Sequence, residues 1–219
     1  LDNDCNGFSD EGNPGGGQGC STGLLGQCGS GTTAFGSSFY FNNAGLVDVQ
    51  TGTLSTWSGS STAGTFNAAS GATLRIDGDF TVNSGSQFTG TGVHLLANGT
   101  FTLNGNITFS TLEQTGGRLA GNHVLNGAFK FTGGDWYSYG GTTLAQGSTL
   151  TINSGLNLAY RSLTNNGTVS WTAGAIFQGN GAMYNNGLWD AQVDSSLNWD
   201  GNGSAAAPTF YNAGTFRKS

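Results

Sequence analysis

Leu163-Thr164-Asn165-Asn166-Gly167-Thr168-Val169, Met183-Tyr184-Asn185-Asn186-Gly187-Leu188-Trp189 and Phe210-Tyr211-Asn212-Ala213-Gly214-Thr215-Phe216 are one phrase written three times. A fourth copy runs from Phe41 to Val47. The marking glycines Gly167, Gly187 and Gly214 stand 20 and 27 residues apart. Repeats of that length signal a solenoid, in which each repeat is one coil that buries its apolar face only by stacking on its neighbours. A second phrase, Gly-x-Thr-Leu-x-Ile, occurs at Gly71 to Ile76 and at Gly147 to Ile152. A third pairs Gly117-Arg118-Leu119 with Gly174-Ala175-Ile176.

Between the glycines lie short alternating runs. Leu46-Val47-Asp48-Val49, Thr73-Leu74-Arg75-Ile76, Phe80-Thr81-Val82, Phe101-Thr102-Leu103 and Leu150-Thr151-Ile152 all alternate apolar and polar residues, the period of a half-buried strand. Ile107-Thr108-Phe109, Phe129-Lys130-Phe131 and Val169-Ser170-Trp171 add three more. Strands this short, with turns every few residues, predict an all-β parallel β-helix rather than a broad sandwich. Identical positions would stack about 4.8 Å apart, so about nine rungs over 39–219 would stand about 43 Å tall. Asn at a turn can bond the Asn above it, and Gly supplies positive φ at the corner.

Composition agrees. Gly makes up 40 of 219 residues, and only 8% are charged, against an ordinary charged share of about 25%. Six Lys and Arg exclude an electrostatic nucleic-acid binder. No window approaches a spanning apolar length, which argues against membrane insertion. Aromatic residues at 11% allow a packed core. The chain starts at Leu1 without a leader, which reads as a processed product or a segment of something longer.

Residues 1–38 differ from the rest and are expected to form a separate loop and Gly-rich arm. Asp2, Asp4, Asn6 and Asp10 place oxygen side chains at loop positions 1, 3, 5 and 9, with Gly7 at the bend and the Phe8 carbonyl as a further ligand. That is calcium-loop spacing, because a hard cation takes six to eight oxygens. Asn13 stands where an EF-hand has Glu, so EF-hand helices are not expected. Cys5, Cys20 and Cys28 all fall in this segment and read as disulfide chemistry with one thiol left over.

Asp2 to Gly12 resembles the Asp-Asn-Asp-Cys-Asp-Gly-x-x-Asp-Glu-Gly metal-binding repeat of secreted bacterial proteins. In that family an upstream Cys commonly precedes the loop and would pair with the position of Cys5; this chain starts too late to contain it. The phrases Phe41-Asn42-Asn43-Ala44-Gly45 and Tyr211-Asn212-Ala213-Gly214-Thr215-Phe216-Arg217-Lys218-Ser219 resemble the β-solenoid repeats of large secreted bacterial proteins. The resemblance implies a right-handed parallel β-helix at the cell exterior and implies no catalytic residues.

The function expected is an extracellular or cell-surface structural protein, non-enzymatic, joining copies of itself end to end as a fibre subunit or adhesin stalk. The rival is a carbohydrate-binding or carbohydrate-cleaving β-helix. Its best residues are Asp190, Asp194 and Asp200 interleaved with Trp189 and Trp199, since aromatic faces stack on sugars and carboxylates bind hydroxyls. The structural reading of the same residues puts the tryptophans in the core and the acids in solvated loops. His94 and His123 stand alone, with no nucleophile motif nearby. Threonine pairs such as Thr149-Leu150-Thr151 do not recur at one rung position, which counts against an ice-ordering face.

Overall fold

A computed structural model describes residues 30–201 and 207–219. The expected calcium ligands Asp2, Asp4, Asn6, Phe8 and Asp10, and the cysteines Cys5, Cys20 and Cys28, lie outside the described residues. All regular structure among the described residues is β-strand, and every pairing is parallel. The chain forms a three-sided β-solenoid.

One face stacks ten strand segments: 32–35, 53–56, 73–76, 93–96, 111–114, 128–131, 149–152, 168–171, 188–191 and 215–218. The chain then bends onto a second face of nine levels, from 41–43 and 59–61 up to Ile176–Gln178 and Leu197–Trp199. This second face narrows at its sixth level to a single bridge, Arg118 to Asp135. The third face also has nine levels, from Leu46–Val49 to Thr209–Asn212. Its nine strands are joined by eight full turns, so the expected nine rungs are nine levels. Because neighbouring strands belong to successive coils, the ladder hydrogen bonds run along the solenoid axis.

The alternating runs predicted the inward residues. Thr65–Ala68, Thr73–Ile76 and Thr100–Leu103 each bury every second side chain. The buried set forms one continuous column of side chains. Phe66 stacks on Phe88 at 5.1 Å, and Phe129 and Phe131 both meet Trp136 edge-on. Burying one such ring contributes about 1.5–3 kcal/mol, so this column is the main stabilising term.

Two features depart from short strands separated by turns. Thr32–Asn43, Thr53–Ser61, Gly105–Gln114 and His123–Phe131 are 12, 9, 10 and 9 residues long, because they run through a corner without a turn. At the last of these, Gly127 has φ of +134°, and a Cβ there would meet the Phe109 carbonyl. The first of them crosses the expected boundary between 38 and 39. The described solenoid therefore begins at Thr32, with Phe35 held against Phe41 at 4.7 Å.

Candidate functional site

The five residues singled out for sugar contact fall on two faces. Trp189 is 1% exposed and lies in the lumen, edge-on to Phe210 at 5.2 Å. Asp190, next to it, is covered from outside by Arg217, whose Nη2 donates at 2.6 Å and Nε at 2.9 Å. Gln192 and Ser219 donate to the same carboxylate. Those donors, Arg217 first, hold the Asp190 carboxyl well below the usual carboxylate range. Asp194 is exposed and 3.2 Å from Lys218. Trp199 sits on the second face, half exposed, and lines a shallow cleft with Leu197, Met183 and Phe210. Asp200 follows it, half-buried, beside Gly179. The set does not converge on one surface.

The lumen holds a chain of polar groups that the sequence did not announce. Arg161 is fully buried, and none of the ion pairs among the described residues involves it. One guanidinium nitrogen donates to the Gly121 carbonyl at 2.8 Å and to Thr142 Oγ1 at 3.1 Å. Thr142 Oγ1 lies 3.0 Å from His123 Nε2, and His123 Nδ1 lies 3.3 Å from the Leu103 carbonyl. Since the carbonyl can only accept, the proton belongs on Nδ1, and Nε2 accepts from the threonine. The imidazole is thus neutral. Burial, with the Arg161 charge adding to it, pushes the His123 pKa down to about 3. His94 is buried against Phe88, and burial lowers its pKa as well. No signal in Ala159-Tyr160-Arg161 distinguishes this arginine from a surface one.

Outside, Tyr137, Tyr139 and Tyr160 cluster at one corner. Tyr139 stacks on Tyr160 at 4.8 Å and is 78% exposed. Arg118 lies over the Tyr137 ring and pairs with Asp135 at 2.8 Å. This aromatic platform has the character sought at Trp189 and Trp199, on a different corner.

The end rungs carry the repeated phrase in its most ordered form. Asn165 Nδ2 donates to Asn185 Oδ1 at 2.7 Å and to the Leu188 carbonyl at 2.9 Å. Asn185 does the same to Asn212 and Thr215, at 2.7 and 3.0 Å. Each amide therefore bonds the rung above twice. Asn43, near the other end, has the same posture. Its Oδ1 accepts from Gly45 N at 2.9 Å, as Asn165 Oδ1 does from Gly167 N, and its Nδ2 donates upward to the Thr65 carbonyl. Among the described residues, no strand pairs above 209–212 and 215–218, or below 32–35 and 46–49. Thr215–Lys218 is exposed along its whole length, and Leu46 is 66% exposed. Compared with protein-family models, curated proteins and solved structures, the chain matches none.

Proposed function

We propose that this is an extracellular structural protein that joins copies of itself end to end, as a fibre subunit or the stalk of a surface adhesin. The observation that carries this reading is the pair of end rungs: strand edges that no other strand pairs among the described residues, bearing the same phrase that stacks inside the coil. Bare edges of this kind template further strands. A head-to-tail contact that does not close generates a filament. Sedimentation velocity and electron micrographs of the native protein test it. Concentration-dependent growth into filaments is expected; a stable monomer at high concentration, with calcium and without reductant, overturns it. On the oxygen spacing read above, Asp2, Asp4, Asn6 and Asp10 with the Phe8 carbonyl would take up calcium, and calorimetry without uptake would remove that part.

A carbohydrate contact is the second reading, and the exposed Tyr139–Tyr160 stack beside Arg118 and Asp135 favours it. Tyr139→Ala should then abolish any glycan-array signal, while Trp199→Ala should leave it.

A further inference from the structure

We infer that successive copies join with a rotation of one face about the axis, laying 210–218 of one copy beneath 41–49 of the next. This rests on the assembly reading above and specifies its joint.

The first argument is topological. The coil climbs one strand spacing per turn, so adjacent faces differ in height by a fraction of a rung. Among the described residues the uppermost strands, in ascending order, are 197–199 on the second face, 209–212 on the third and 215–218 on the first. The lowermost described strands, also ascending, are 32–35 on the first face, 41–43 on the second and 46–49 on the third. Matching like face to like face sets the highest upper strand against the lowest lower one and leaves a gap of a rung on the other two faces. Turning the next copy by one face matches the two ascents in order, and all three strand pairs close together. The ten, nine and nine described levels of the faces leave this remainder.

The second argument is chemical. In the rotated joint Phe210-Tyr211-Asn212-Ala213-Gly214 lies against Phe41-Asn42-Asn43-Ala44-Gly45. Asn212 Nδ2 then meets Asn43 Oδ1 and the Leu46 carbonyl of the next copy, repeating the bonds of Asn165 and Asn185 one level higher. Phe216 meets Val47. Arg217, already paired with Asp190 on the rung below, meets Asp48 on the rung above. Asp48 is exposed, and among the described residues its donors are the neutral Gln50 and Asn67. Acid, base and acid thus alternate up one column across the joint. In the unrotated joint Arg217 would face Ala34, and Asn212 would lose its asparagine partner.

Paired positions on adjacent strands lie about 4.8 Å apart, inside the Cα range a disulfide spans. Full-length Arg217→Cys protein is mixed with Asp48→Cys protein, and in parallel with Ala34→Cys protein, then oxidised and read by peptide mass spectrometry. The proposal expects the 48–217 link at least tenfold above the 34–217 link. The reverse ratio overturns the rotation and leaves the fibre reading standing. Neither link, from a wild-type protein that does form filaments, overturns the joint alone. A wild-type monomer overturns both. Because Arg217 also holds the last rung, wild-type filaments supply an independent measurement. Helical reconstruction should give a rise of about 45 Å, nine and a third strand spacings, with a third of a turn per copy. A rise of about 48 Å, ten strand spacings, with no such turn overturns the rotation.

Discussion

From Phe66 to Leu112 the lumen is filled mainly by carbon, with Phe66, Phe80, Phe88 and Phe101 packed among Leu74, Ile76 and Leu96, and His94 buried beside Phe88. From Gln114 to Gln178 the apolar column continues but takes in a polar network: Trp136 donates to Gln114, and Arg161, Thr142 and His123 form a chain ending on backbone carbonyls. The backbone path is alike in both bands. The difference shows that a parallel coil fixes only where side chains point, and leaves open whether shape or hydrogen bonding fills the space. Carbon filling is sensitive to volume and carries no proton; the buried imidazoles and guanidinium add a dependence on pH.

Four measurements would break or sharpen that contrast. Phe101→Ala opens the tightest part of the apolar band and should cost about 3–5 kcal/mol in urea unfolding; a loss below 1 kcal/mol would mean the band is loosely packed. The polar band should respond to acid. His123 stays neutral when folded, down to about pH 3, while the unfolded chain binds a proton below about pH 6.5. Stability is therefore complete above that value and falls as pH drops, by about 2–3 kcal/mol at pH 4.5. His94, buried in the apolar band, acts in the same direction. A stability curve flat from pH 7 to 4.5 would contradict the neutral, buried imidazole. Asn185→Ala breaks the amide column at its middle and should cost about 1–2 kcal/mol. Its effect should be larger than that of Asn186→Ala, whose bond to Asn166 is exposed. Least affected should be Lys130→Ala on the outside of the polar band, where the exposed pair with Glu113 at 3.2 Å contributes under about 0.5 kcal/mol.

The inward pattern was legible because it is local. Thr73–Ile76 and Thr100–Leu103 alternate in sequence as they alternate in burial. The repeated phrases also predicted position: Gly71 and Gly147 both lead onto the first face, and Gly117 and Gly174 both lead onto the second. One phrase misled. Asn165, Asn185 and Asn212 occupy the corner between third and first faces, whereas Asn43 occupies the corner before the third. A tight Asn-Gly turn suits any corner, so the phrase marks a bend without saying which. Straight passage through a corner, as at Gly127, was hidden for the same reason: most glycines here mark turns, and this one lies inside a strand. Trp189 lies in the lumen, as the structural reading had it, but Asp190 is buried rather than in a solvated loop. What covers Asp190 is Arg217, 27 residues on, and only the stacking register brings it there. The Arg161 chain likewise joins residues from three successive coils, a relation with no local signature.

Ladder hydrogen bonds that run along the axis set how the molecule answers a pull. Tension between its two ends loads each coil's bonds in a line, one rung at a time from an end, rather than shearing many together. A released coil of about 20 residues lengthens from one strand spacing to about 65 Å of extended chain. A stalk built this way would yield in even steps under load while the coils behind the break kept their packing.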